Sequence, residues 1–180
     1  MQNLKQRSFN EWLVIRYQQG EHDAFSELIK TWQHKYFLYA LKRLGDREAA
    51  KDVSQECLLS ISRSIGKLSD PAAFPKWSFR ILERRCIDWL RKTIREREVI
   101  QTQEFLPEVE VQDGTEASLS VEKLLDQLDS KLAALLRLFY LEDLSIEEIA
   151  EVLEVPTGPV KSRLFYARKL MIKVLEGGTS

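Results

Sequence analysis

The stretch SIEEIAEVLEVPTGPVKSRLFYARKLM, Ser145–Met171, decides the fold. Ser145 with Glu148 three residues on is a capping box, a helix start signal. Ile149, Ala150 and Leu153 then recur at helical steps. After a short turn, Val160, Leu164 and Ala167 repeat the pattern on a second helix whose other face is basic. Ala150 is small where two helices would cross closely. Gly158 and Pro159 fall in the first turn of the second helix, where a missing N–H costs nothing. This layout predicts a helix-turn-helix, which places its second helix in the major groove of DNA. The outward face carries Lys161, Ser162, Arg163, Arg168 and Lys169. Amides at the helix start favour a phosphate. Lys and Arg bond base edges or phosphates, and both roles stay open for each of them.

Composition narrows the class. A chain of 180 residues has room for one or two small domains. Seven Gly and five Pro are too few turn formers for an all-β fold. No apolar run approaches ~20 residues, so no membrane span is expected. The start MQNLKQRSFNEW lacks the apolar segment of a secretory signal. Cys57 and Cys86 sit in no CxxC and beside no paired His, which predicts reduced, buried thiols in a cytoplasmic protein. His22 and His34 are the only histidines, and there is no Gly-rich phosphate loop or spaced ligand set. No catalytic residues, cofactor or metal are therefore expected.

The net charge of −1 conceals segregation. Residues 1–98 carry a net of about +6, whereas residues 99–120 hold five acids and no base. Gly158–Lys173 holds five basic residues and no acid. Localised basic faces on a neutral chain suit selective contact with nucleic acid.

The expected fold class is all-α: two helical domains, residues 1–98 and 120–180, joined by a flexible acidic linker at 99–119. That linker contains Pro107 and Gly114, while Phe105, Leu106, Val109 and Val111 keep some capacity to dock. Four helices are expected before it. The first runs near Phe9–Gln19, with Trp12 and Ile15 on its apolar face and Gly20 as its stop. The second runs from about Asp23 to Leu44 with an apolar stripe from Phe25 to Leu44. The third starts after Asp46 as N-cap and runs to about Ile65, with Ala49, Val53, Leu58 and Ile61 inward. The fourth covers about Lys76–Arg97 after the turn SDPAAFPKW. Later helices are expected near Ser120–Leu128, Ser130–Leu141, Ser145–Leu153 and Thr157–Leu175.

The fourth helix, WSFRILERRCIDWLRKTIRERE, interleaves aromatics with basic residues. Aromatics beside Arg suit single-stranded nucleic acid, where bases find a π face and phosphates find cations. Trp77, Ile81 and part of Trp89 suit a core equally well. Arg84, Arg85, Arg91 and Lys92 do not.

Together the halves resemble the extracytoplasmic-function group of the sigma-70 family, the promoter-specificity subunits of bacterial RNA polymerase. GEHDAFSELIKTWQHKYFLYALKRLGDREAAKDVSQECLL and FPKWSFRILERRCIDWLRK are similar to sigma region 2. EEIAEVLEVPTGPVKSRLFYAR is similar to region 4. The resemblance implies that Asp52, Val53, Gln55 and Glu56 dock on the polymerase clamp. It implies that Lys76, Trp77, Arg80, Arg84, Arg85, Asp88, Arg91 and Lys92, with the loop from Lys67, read and open the −10 element. It assigns the −35 duplex to Thr157, Gly158, Pro159, Lys161, Ser162, Arg163, Arg168 and Lys169. The implied partners are core RNA polymerase (clamp helices and flap), promoter DNA and an anti-sigma factor, often membrane-anchored, but no small-molecule substrate. The chain departs from the family's common residues at Pro159 (Thr), Glu154 (Gly), Tyr166 (Arg), Arg84 (Asn) and Lys51 (Glu). A non-Gly residue at the Glu154 turn would sit in a left-handed conformation, at about 1 kcal/mol. The competing reading is a stand-alone helix-turn-helix regulator, which would need a dimerisation or effector domain in place of the basic–aromatic half.

Overall fold

Helix α1 spans Gln2–Gln18 and α2 spans His22–Leu44. Gly45 ends α2 in the left-handed region, φ 69°, and donates its N–H to the Leu41 carbonyl. The next residue, Asp46, caps α3, Arg47–Ser64, by accepting the Ala49 amide at 2.9 Å. Two 3-10 turns, Ile65–Lys67 and Pro71–Ala73, then lead into α4, Phe74–Ile100. The computed structural model describes residues 2–100 and 129–177. The linker from residue 101 onward and the helix expected near Ser120–Leu128 lie outside them. The chain divides into two units, Met1–Val109 and Glu110–Ser180.

In the first unit α2 packs against α1, α3 and α4. Its core is aromatic. Phe79 of α4 meets Trp32, Tyr36 and Tyr39 of α2 at centroid distances of 5.8, 5.6 and 5.3 Å. Such ring pairs add about 0.5–1.5 kcal/mol each beyond the area they bury. A polar clip lies beside them. Arg43 bonds both carboxylate oxygens of Glu83 through Nε, at 3.1 Å each, and Tyr39 donates to the same carboxylate at 2.9 Å. Burial lowers the Arg43 pKa, but the Glu83 hydrogen bond and charge outweigh it and the guanidinium is held more firmly protonated. Burial pushes the Tyr39 hydroxyl well up, and Glu83 pushes the same way. Cys57 and Cys86 are free and fully buried.

Helix α1 corrects the sequence reading. Trp12 and Ile15 are 48% and 37% exposed, and Asn10, Leu13 and Val14 face the core instead. The cause is a polar demand that periodicity does not register. The buried Trp32 indole N–H needs an acceptor, and Asn10 Oδ1 supplies it at 3.2 Å. Trp12 is covered from outside by Arg16, whose guanidinium lies 4.5 Å from its ring centre. Gln18 at the end of α1 donates to the carbonyls of Ile65 and Leu68, so α1 also closes the exit of α3.

The second unit contains α5, Ser130–Tyr140, α6, Ile146–Leu153, and α7, Thr157–Gly177. Both halves of the capping box form: Ser145 Oγ accepts the Glu148 amide at 3.1 Å, and Glu148 accepts the Ser145 amide at 2.8 Å. The seam of the hairpin is Ile149, Ala150, Val152, Val160, Leu164 and Ala167, all buried, with Leu153 half-buried. Glu154 takes the left-handed turn, φ 53°, and its N–H bonds the Ala150 carbonyl. No described helix is long and apolar enough to cross a membrane.

Candidate nucleic-acid interface

Three helices, α3, α4 and α7, carry the candidate residues, and 3.6 residues per turn sets which of them share a face. On α7 the buried stripe Val160, Leu164 and Ala167 fixes the opposite side as the outermost one. Gly158, Ser162, Phe165 and Lys169 lie there, all exposed. Thr157, Lys161 and Arg168 form one flank, and Pro159, Arg163 and Tyr166 form the other. The structure thus leaves all eight residues of the expected −35 set at the surface. It also adds two that charge-based reading missed: Phe165 and Tyr166 are 62% and 58% exposed. Their signal was in the sequence, because both fall out of phase with the buried stripe. Lys169 Nζ sits 4.8 Å over the Phe165 ring, which keeps cation and aromatic together on the outer face. Ser162 Oγ donates back to the Gly158 and Pro159 carbonyls, both at 3.2 Å, and in this arrangement Pro159 keeps an acceptor while lacking a donor.

Helix α4 divides the expected −10 set. Leu82, Glu83, Cys86, Phe79 and Ser78 face the core. Opposite them run Trp77, Arg80, Arg84, Asp88 and Arg91, joined by Arg95, which the sequence reading left out. Trp77 is half-buried with its ring centre 6.1 Å from that of Phe74, the two planes tilted by 46°, so one ring serves both core and surface. Lys76 is also half-buried. Arg85 and Lys92 are rotated toward a flank. Arg85 bonds Glu56 of α3 at 3.3 Å and Ser60 at 2.8 Å, and Lys92 approaches Glu96 at 3.9 Å.

Helix α3 requires a correction. Val53 is 4% exposed and in phase with the buried Ala49, Ala50 and Cys57, so its side chain supports the core and presents nothing to a partner. Asp52 and Gln55 are exposed on the outer face, with Leu59 one turn on at 55% exposure. Leu59 belongs neither to the inward set expected for this helix nor to the expected docking residues, and only its exposure brings it into the stripe. Glu56 is exposed but leans to the α4 flank through Arg85. The stripe therefore combines an acid, an amide and an apolar side chain, a composition suited to packing against another helical surface.

Comparison with known proteins bears on both units. Residues 28–96 match the family described as Sigma-70 region 2, and residues 118–171 match Sigma-70, region 4. The RNA polymerase sigma-H factor of Pseudomonas aeruginosa is 30% identical, over 93% of this chain and 94% of that protein. The ECF RNA polymerase sigma-E factor of Haemophilus influenzae is 31% identical, over 88% and 91%. The ECF RNA polymerase sigma factor SigW of Bacillus subtilis is 27% identical, over 90% and 94%. Among solved structures, the sigma factor RpoE in complex with the anti-sigma factor NepR from Bartonella quintana has a TM-score of 0.69 at 21% identity, covering 84% of this chain and 96% of that one. CnrH in complex with the cytosolic domain of CnrY has a TM-score of 0.60 at 19% identity, covering 94% and 98%. Both structures are similar in fold.

Proposed function

The chain belongs to the sigma-70 family, in its extracytoplasmic-function group, and on that premise we propose that it binds core RNA polymerase and directs promoter-specific transcription initiation. One observation carries the reading: a helical unit with an outer cation–aromatic stripe precedes, in the same chain, a capped helix-turn-helix hairpin whose second helix is basic outside. We assign polymerase docking and the −10 element to residues 1–98 and the −35 element to residues 120–180, with 99–119 as the connection between these two functions.

Helix α7 reads the −35 duplex. Its outer stripe of Gly158, Ser162, Phe165 and Lys169 faces base edges, and its flanks, with Lys161, Arg163 and Arg168, meet phosphates. The α4 stripe of Trp77, Arg80, Arg84, Asp88 and Arg91 captures −10 bases once they leave the stack. Melting without ATP needs such capture, since contacts to the extruded bases offset the few kcal/mol lost on unpairing. Asp52, Gln55 and Glu56, with Leu59, dock on the polymerase. The protein acts by binding and not by catalysis, and works in the bacterial cytoplasm. An anti-sigma factor completes the set of partners; NepR, seen with RpoE, is of that class.

The test is reconstitution. The full chain should be retained by immobilised core RNA polymerase and should start transcription at a discrete set of promoters. Absence of binding to core polymerase, with tight binding to an operator by the chain alone, would replace this reading with that of a stand-alone regulator.

A further inference from the structure

Arg168 is held before any DNA arrives. Its Nε–H donates to the Tyr140 hydroxyl oxygen at 2.9 Å, across from α7 to the end of α5. Its guanidinium carbon lies 5.6 Å over the Phe139 ring, and Phe139 and Tyr140 meet edge to face at 4.9 Å. The Phe139 ring and the Tyr140 hydroxyl thus hold the cation together, the ring under its plane and the oxygen at its Nε–H. Tyr140 is 44% exposed, and Arg168 is exposed too, so the pair stands at the surface rather than within the core.

The donor geometry is specific. With Nε–H committed to Tyr140, the end-on edge of the guanidinium, one N–H from each terminal nitrogen, presents a parallel pair of donors on the side away from that bond. That edge makes paired, charge-assisted bonds to phosphate oxygens. The tyrosine oxygen accepts from Arg168, so its own hydrogen is left to donate outward. Arg168 also shares its flank of α7 with Thr157 and Lys161. At 1.5 Å per residue those three span about 16 Å along one side of the helix, a row suited to the backbone of one strand.

We propose that Tyr140 is a positioning residue for DNA binding: it fixes Arg168 and, with it, forms a clamp on a single backbone phosphate. The proposal rests on the assignment of α7 to the −35 duplex. A braced arginine loses less rotamer freedom on binding than a free one, and affinity rises through preorganisation rather than through a new base contact. The clamp contributes affinity and register but no sequence preference of its own.

The experiment uses the full chain assembled with core RNA polymerase and a −35 promoter duplex. Tyr140→Phe keeps both rings and removes only the hydroxyl. It should weaken binding about three- to tenfold, and Arg168→Ala at least as much. The duplex is then made with one methylphosphonate at a time, which removes the charge of one phosphate. At one and the same position both penalties should vanish. If Arg168→Ala weakens binding but Tyr140→Phe does not, the positioning role fails and the −35 assignment stands. A Tyr140→Phe penalty that persists at every neutralised phosphate marks a structural role and also overturns the proposal. No penalty from Arg168→Ala removes Arg168 from the interface, and the clamp with it.

Discussion

Arg85 of α4 and Glu56 of α3 form an ion pair at 3.3 Å, with Arg85 also donating to Ser60 at 2.8 Å. A residue expected on the −10 surface is thereby joined to one expected on the polymerase surface. Both ends are largely solvated, at 43% and 60% exposure, so the pair contributes at most about 1 kcal/mol. Its consequence is directional: Arg85 is turned toward α3, whereas Arg84 lies on the outer stripe with Arg80 and Arg91.

The two neighbouring arginines should therefore differ in promoter opening. Arg84→Ala is expected to reduce open-complex formation about fivefold or more, the scale of losing a stacked or phosphate-bound cation. Arg85→Ala should change it no more than about twofold. Permanganate reactivity of unpaired −10 thymines reads both. Equal losses would show that the α4 surface is not divided as the geometry indicates.

Glu83 should matter more to stability than any exposed acid. It is 3% exposed and is the shared acceptor of Arg43 and Tyr39. Glu83→Ala strands a buried guanidinium and a buried hydroxyl, at about 3–5 kcal/mol. Glu83→Gln keeps an acceptor and should fall in between. Urea unfolding of the two variants gives the order, and a Glu83→Ala loss below about 1 kcal/mol would contradict the packing described for α2 and α4.

Stability should decline in alkali through the buried thiols. Burial pushes Cys57 from 9.0 up to about 12, and Cys86 is raised as well, first by burial and then by Glu83. Below pH 9 the Cys57 thiol is neutral whether folded or unfolded. Between pH 9 and about 12 it ionises only in the unfolded chain, which then binds fewer protons, and stability falls as pH rises. Each such thiol steepens the slope by about 1.4 kcal/mol per pH unit. Cys57→Ala should flatten the dependence above pH 9 by about that amount in pH-resolved denaturation. An unchanged slope would count against burial as the cause.

The capping box should be measurable in the second unit. Ser145→Ala removes the acceptor of the Glu148 amide and should cost about 1 kcal/mol. Holoenzyme carrying this variant should lose −35-dependent transcription on warming before losing affinity for core polymerase. Simultaneous loss of both would place the damage elsewhere than in the hairpin.

Much of this protein was determined by short-range information. The Asp46 cap, the Gly45 stop, the Ser145–Glu148 box and the Val160–Leu164–Ala167 stripe each depend on residues within a turn or two of one another. The sequence therefore determined the helices, their order and the basic outer face of α7. Tertiary structure decided how each helix is rotated and which distant side chains meet. Asn10 turned inward because Trp32, 22 residues away, needed an acceptor, and this displaced Trp12 to the surface. Val53 joined the core while Leu59 did not. Arg85 found Glu56 across 29 residues, and Arg168 found Tyr140 across 28. Periodicity reports how apolar a face is, but a buried hydrogen bond or a braced cation exists only once two helices have packed, since its geometry belongs to the pair and to neither strand of sequence alone.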